Sequence, residues 1–242
     1  MQLYFIRHAQ SANNLLFDLT GSWSNRVEDP ELTELGVKQA ERVAAHLAET
    51  REIEPVQKWD PHNVRGFFIT HLYVSPQVRA SHTGDLVGKA LNIKPVLWDE
   101  IHECGGIYLE NEDGLPQGKP GQNRAFFEGR FPSFQLPHTL GDGGWWDGRP
   151  PEERAECRAR ARRVWQTLIA RHGHTRDRVA LVSHGDFWGR LAFVMLGMDP
   201  DKDAWLGMGN TAIARVDYME HDEEVVLVYM NRLAHLPREM VS

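Results

Sequence analysis

Leu3-Tyr4-Phe5-Ile6-Arg7-His8-Ala9-Gln10-Ser11 lies almost at the start of the chain. Its first four residues are an unbroken apolar run rich in β-formers, which reads as a short buried strand. Strands covered on both faces belong to parallel sheets with helices above and below. The run changes abruptly to Arg7-His8, which puts two nitrogen-bearing side chains just past the strand's carboxyl end.

The same alternation continues along the chain. Residues 34–49 follow a helical period, with Val37, Ala40, Ala44 and Leu47 on one face and Thr33 able to cap the start. Phe67 to Val74 reads as a second strand ended by Ser75-Pro76, and Leu86, Val87, Ala90 and Leu91 mark a following helix. Pro95 to Trp98 fits a short strand. Residues 152–171 read as a long helix with Cys157, Ala161, Val164 and Leu168 on one face, punctuated at its start by Pro150 and Pro151. Val179 to Val182 is a further buried strand. A helix with Phe187, Leu191 and Val194 follows, and two last strands fit 212–217 and 225–230. Strands alternating with helices predict one α/β domain over residues 1–242: three layers, α/β/α, a mainly parallel sheet and helices on both faces.

Residues 104–151 break the pattern. They hold 10 of the chain's 21 glycines and 6 of its 13 prolines, with Phe126, Phe127, Phe131, Phe134, Trp145 and Trp146 among them. A structureless loop of that length is uncommon in a compact domain, so the segment is expected to be an inserted, aromatic-anchored cap over a site.

Composition narrows the classes. The chain has 242 residues, 41% hydrophobic and 25% charged, which fits a globular protein and argues against general disorder or a disulfide scaffold. A net charge of −7 argues against a broad nucleic-acid surface. The longest apolar run, Leu191 to Leu196, is too short to cross a bilayer, and Met1 to Ile6 does not read as a secretory signal. Cys104 and Cys157 match no metal or redox spacing, so a reduced thiol pair in a cytoplasmic protein is expected.

Three strands each deliver an Arg or His beyond their carboxyl ends: Arg7-His8, then Arg79 in Ser75-Pro76-Gln77-Val78-Arg79, then His184-Gly185. Ligands of open α/β sheets bind at that edge. Two arginine forks with two imidazoles would make a local cationic pocket in an acidic protein, suited to phosphate.

The motifs resemble the histidine phosphatase superfamily, also called the phosphoglycerate mutase-like family. Arg7-His8-Ala9-Gln10-Ser11 is similar to its Arg-His-Gly-Glu signature, with Ala9 and Gln10 in place of the commonest Gly and Glu. Asn14, Leu32-Thr33-Glu34-Leu35-Gly36-x-x-Gln39-Ala40, Ser75-Pro76-x-x-Arg79-Ala80, Ser183-His184-Gly185 and Asn210-Thr211 follow in the family's order. The resemblance implies that His8 is a nucleophile that becomes a phosphohistidine, with Arg7, Arg79 and His184 around the phosphoryl oxygens. Asn14, Gly185 and Ser11 are the further substrate-binding candidates. The family's proton donor is a carboxylic acid just before a Gly-containing turn. Glu103, in Glu103-Cys104-Gly105-Gly106, takes that place, with Glu100 as the alternative.

No metal or other cofactor is expected, because the clustered cations do the work of one. His102, His172-x-His174 and the pair His62/His71 lack the spacing of a structural zinc site. Arg158, Arg160, Arg162 and Arg163 are expected on a solvated helix face opposite Glu152, Glu153 and Glu156. The expected activity is a metal-independent phosphatase acting on a small phosphorylated metabolite. The alternatives are mutase-type phosphoryl transfer and a non-catalytic phosphoester-binding module. Lys119, Arg124, Arg130 and Arg149 in the insertion are candidates for a second anionic group of the ligand.

Overall fold

In the computed structural model, which describes residues 1–52, 59–199 and 204–242, the opening run forms strand β1 (Gln2–Arg7). It pairs in parallel with β6 (Arg178–Ser183) and antiparallel with β7 (Ile213–Met219). With β2 (His71–Val74), β3 (Val96–Leu97) and β8 (Glu224–Arg232) it makes a six-stranded sheet of order β3-β2-β6-β1-β7-β8. The β3-β2-β6-β1 part is parallel throughout, and β7 and β8 extend it as an antiparallel edge.

Period-two alternation sorts the strand residues between two cores. Leu3, Phe5, Val179 and Leu181 face α5 (Arg154–His172) and α6 (Gly185–Met195), packing with Val164, Leu168, Trp188 and Leu191. Tyr4, Ile6, Leu72 and Val182 point the other way, toward α2 (Glu34–Ala48) and α3 (Val78–Leu91), where Val43, Leu47 and Val87 meet them. The three-layer α/β/α expectation therefore holds.

Three local expectations need correction. The second strand begins at His71 and not at Phe67, because Gly66 and Phe68 both have positive φ and break the extended run. Phe67 and Ile69 are buried nonetheless. A helix absent from the pattern reading, α1 (Ala12–Thr20), follows the signature. It buries no residue although it carries Leu15, Leu16, Phe17 and Leu19, and it is started by a capping box between Ser11 and Asn14. Arg160 is not on a solvated face. It is buried, grips both oxygens of Glu152 at 2.7 Å, and donates to the carbonyls of Glu100 (2.6 Å) and His102 (3.0 Å).

The 104–151 segment is a packed layer. It contains a hairpin, β4 (Tyr108–Glu110) with β5 (Pro116–Gly118), and a short helix, α4 (Arg124–Arg130). Phe127, Phe131, Phe134, Trp145 and Trp146 join the core on the α2/α3 side. Gly106 has φ 72°, and a Cβ there would lie 2.4 Å from Trp146, so this turn needs glycine for both reasons. At the segment's start Cys104 is joined to Cys157 of α5 by a disulfide, which corrects the expectation of reduced thiols. The two cysteines are 53 residues apart in sequence, and only the docking of the segment on α5 brings them together.

Candidate active site

Strand register builds the site. Arg7 is paired with Ser183, and Val74 and Ile6 both with Val182, so the three chains leave the sheet side by side. His8 and His184 are the next residues of β1 and β6, and their ring centroids are 5.0 Å apart. The His8 amide donates to the Ser183 carbonyl and the Ser75 amide to the Val182 carbonyl, which continues the pairing one step beyond the strands.

Hydrogen bonds set the histidine tautomers. His8 Nδ1 lies 2.7 Å from the Ala9 carbonyl, which can only accept, so Nδ1 carries the proton and Nε2 the lone pair. Arg79 Nε donates to that Nε2 at 3.1 Å. Burial, reinforced by the charges of Arg79 and Arg7, lowers the His8 pKa well below the usual histidine value. A neutral ring with a directed lone pair is the form in which imidazole acts as a nucleophile. His184 Nε2 is 2.7 Å from Ser75 Oγ. Its pKa also lies well below the usual value, through burial first and then Arg79 and His8. Ser75 Oγ already accepts from the Gln77 amide at 3.4 Å, which leaves its hydroxyl proton to donate to Nε2 and puts the neutral ring's N–H at the buried Nδ1.

Two buried donors, His184 Nδ1 and Arg7 Nε, have no hydrogen-bond partner among the described residues. Arg7 is anchored by its Nη1, which donates to the Met208 carbonyl at 2.5 Å. Gly185 is the first residue of α6 and packs against this guanidinium; a Cβ there would come within 3.4 Å of Arg7 Nε. Buried N–H groups without partners are costly, and an anion between them offsets that cost.

Glu103 meets the N-terminus of α6. Its Oε1 accepts from the Phe187 and Cys104 amides, each at 2.9 Å, and its Oε2 from the Asp186 amide at 3.3 Å. Burial, with Asp186 adding to it, pushes the Glu103 carboxyl above its usual value, against the pull of Arg79 and these amides. Glu100 is elsewhere: its Oε1 accepts from Arg163 Nε at 2.9 Å on the outer side of α5. The structure thus puts Glu103, and not Glu100, at the start of α6 where its charge acts on Arg7 and Arg79.

Ser11 and Asn14 spend their polar atoms largely on each other. Asn14 Oδ1 accepts from the Ser11 amide (3.1 Å), Ser11 Oγ (2.9 Å) and Asn210 Nδ2 (3.3 Å). Ser11 is accordingly a buried helix cap, whereas Asn14 Nδ2 has no hydrogen-bond partner among the described residues. The basic residues of the 104–151 segment are also engaged. Arg124 donates to the Leu140 and Pro137 carbonyls, Arg149 to the Trp146 carbonyl, Lys119 to Gln117 Oε1, and Arg130 holds both oxygens of Glu31. The first three hold the segment together, and Arg130 ties it to Glu31 outside it. Arg26 also reaches the segment, 4.2 Å above the Tyr108 ring.

Residues outside the expected set also shape the site. Gln77 Oε1 accepts from the Glu103 amide at 2.8 Å, tying the Arg79 loop to the carboxylate. Asn210 donates to the His8 carbonyl at 3.1 Å. Gln39 Oε1 accepts from the Gln10 amide at 2.8 Å, and Gly36 lies so close to the Gln10 carbonyl that a Cβ would come within 2.0 Å. These four stand inside the motifs quoted above, so the signal was there as motif membership without a role. Asp29 carried no signal. It is buried, accepts from the Val78 amide at 3.0 Å, and its Oδ1 lies 3.8 Å from Arg79 Nη1. Burial pushes its pKa up to about 7, with Arg79 opposing. His102 is also buried, with Nδ1 on the Asp99 carbonyl at 2.5 Å and its ring against Trp145 and Trp146.

A mostly parallel sheet gathers two histidines and two arginines at one edge, a cationic cluster of the kind that suits a phosphate. The chain belongs to the histidine phosphatase superfamily (branch 1), whose family model matches residues 3–231. It is therefore related to enzymes of phosphatase or mutase type. The probable phosphoglycerate mutase GpmB of Yersinia enterocolitica is 26% identical over 222 residues, 91% of this chain and 86% of that protein. The protein of the same name from Proteus mirabilis is 25% identical over 90% of this chain and 85% of its own length. Among solved structures, a phosphoserine phosphatase mutant from Entamoeba histolytica bound to phosphoserine superposes with a TM-score of 0.61 at 20% identity, covering 98% of this chain and 99% of the other. A mycobacterial glucosyl-3-phosphoglycerate phosphatase superposes with a TM-score of 0.57 at 20% identity, covering 96% and 97%. These likenesses establish the fold.

Proposed function

We propose that this protein is a phosphatase that hydrolyses a small-molecule phosphomonoester through a phosphohistidine, without a metal. The observation that carries the reading is the pairing of a neutral His8, its Nε2 lone pair directed, with two buried partnerless donors, Arg7 Nε and His184 Nδ1. Nucleophile and oxyanion donors are the two parts an in-line phosphoryl transfer needs.

His8 Nε2 attacks phosphorus, forming the N–P bond as the ester P–O bond breaks. The electron pair leaves on the ester oxygen, which takes the proton of Glu103. Arg7, Arg79 and His184 hold the nonbridging oxygens, and Arg79 turns its Nε–H from His8 to the phosphoryl group as the substrate enters. Water then attacks phosphorus and gives its proton to the Glu103 carboxylate. The N–P bond breaks, which releases phosphate and restores His8. The guanidinium groups provide charge neutralisation of the kind a Mg²⁺ or Zn²⁺ provides in other phosphatases.

A second reading, mutase-type transfer, is favoured by the names of the GpmB relatives. It requires the phosphohistidine to be kept from water and the phosphoryl group returned to the same carbon skeleton. The aromatic 104–151 segment does not resemble the cofactor-dependent mutase sequence at that place, which supports hydrolysis. The deciding experiment measures p-nitrophenyl phosphate hydrolysis with excess EDTA alongside isomerisation of 3-phosphoglycerate. Phosphate release unaffected by EDTA, with no isomerisation, is expected. Isomerisation without net phosphate release would replace the phosphatase reading by the mutase one.

A further inference from the structure

The carboxyl edge of the sheet holds the phosphoryl chemistry; a second cluster lies at the opposite edge. His71 opens β2, His172 closes α5, and Asp177 precedes β6. The sequence pairs these histidines otherwise, His71 with His62 and His172 with His174, and neither of those pairs forms the cluster. Asp177 Oδ2 lies 2.8 Å from His172 Nδ1 and 3.9 Å from His71 Nδ1, and the three donor atoms all fall within 4.8 Å of one another. The two imidazole centroids are 4.7 Å apart.

We propose that His71, His172 and Asp177 bind one divalent transition-metal ion of the zinc type, at a site separate from the phosphoryl-transfer centre. Two imidazoles and one carboxylate are a borderline donor set suited to zinc, and three protein ligands leave the fourth tetrahedral position to water. Donors at zinc bond lengths stand about 3.3 Å apart in a tetrahedron; the 2.8 and 3.9 Å separations bracket that value, and the third, no more than 4.8 Å, needs closure of at most about 1.5 Å. The framework is rigid where it matters, since His71 is paired in register with Val179 on the neighbouring strand.

The protons can be accounted for. His172 binds in the tautomer that carries its single ring proton on Nε2, directed toward Tyr73 Oη 3.0 Å away, which leaves the Nδ1 lone pair, 2.8 Å from Asp177, for the ion. Tyr73 thereby orients the ligand, as outer-shell groups of metal histidines do. Thr70 Oγ1, now 2.9 Å from His71 Nδ1, already reaches the Arg178 carbonyl at 3.2 Å and can turn its proton there. His71 and Asp177 are half-buried, which gives an ion access, while His172 is buried. The other two three-donor groups found among the described residues each use Cys104, whose sulfur is in the disulfide.

The test is zinc binding by the whole protein after chelator treatment and dialysis, followed by calorimetry and by the visible absorption of a cobalt-loaded sample. One ion per chain is expected, with tetrahedral cobalt bands and a melting temperature that rises with zinc. His71→Ala should weaken zinc binding at least tenfold and remove the cobalt bands while p-nitrophenyl phosphate hydrolysis is unchanged. Tyr73→Phe should weaken binding roughly tenfold by releasing His172. Absence of stoichiometric binding would overturn the site. So would zinc binding of undiminished affinity in both His71→Ala and Asp177→Asn, which would put the ion elsewhere. Because the readout is binding, the result does not depend on the proposed hydrolysis.

Discussion

Arg79 Nε donates directly to His8 Nε2 across 3.1 Å, so the lone pair required for attack is covered by a guanidinium that must also hold the phosphoryl group. One residue therefore orients the imidazole before substrate arrives and meets the substrate's charge afterwards. His8→Ala should abolish turnover, yet vanadate should still bind to the remaining Arg7, Arg79 and His184. Arg79→Ala should lower kcat on the order of 100- to 1000-fold, the usual effect of losing a preorganised oxyanion donor. Single-turnover assays with vanadate titration check both, and normal turnover in His8→Ala would remove it as nucleophile.

The pH profile should be bell-shaped, and the two shifts move its limbs apart. His8 must be neutral, and its pKa is lowered by burial and the neighbouring arginines, so the acid limb falls below the ordinary histidine range. Glu103 must be protonated, and its pKa is raised by burial and Asp186, so activity persists above the ordinary carboxyl range and fades as pH rises through that raised value. In Glu103→Gln the alkaline limb should disappear, and poor leaving groups should slow far more than p-nitrophenol. Equal losses for good and poor leaving groups would count against a proton-donor role.

The Cys104–Cys157 bridge closes a loop of 53 residues of sequence separation. Chain-entropy arguments give such a loop about 4 kcal/mol of stabilisation. For a protein of this size, opening it should lower Tm by roughly 10 °C. Because Cys104 adjoins Glu103 and its amide donates to that carboxylate, kcat should fall as well. Melting curves and rates of Cys157→Ser, and of the native chain with and without reductant, measure this. A Tm indifferent to reductant would mean that the thiols are not bridged.

Asp29 should make stability pH-dependent in an unusual direction. Its folded pKa is raised from 3.8 to about 7, so between those values the folded state holds a proton that the unfolded state has lost. Its contribution therefore favours folding at low pH and declines as pH rises through that window, by up to about 1.4 kcal/mol per pH unit. Asp29→Asn does not titrate and can still accept from the Val78 amide. The variant should gain on the native protein from pH 5 to pH 8 and hold its advantage above that. Urea denaturation at both pH values checks it; a pH-independent difference would show that Asp29 is already ionised in the fold at pH 5.

Sequence determined the layered α/β architecture and most of the site for a local reason. The apolar runs of β1, β2 and β6 depend on neighbouring residues, and Arg7 closes its strand while His8, His184 and Arg79 lie one, one and five residues beyond theirs, so all four could be placed from one-dimensional order. Tertiary structure alone decided the rest. It joined Cys104 to Cys157, buried Arg160 beneath the loop before Glu103, brought Asp29 beside Arg79, separated Glu103 from Glu100, and gathered His71, His172 and Asp177 at the far edge. Each of these depends on which elements dock, and on the register in which they do so. Side chains far apart in the chain meet only after the loops between them have closed, and no local period records that meeting.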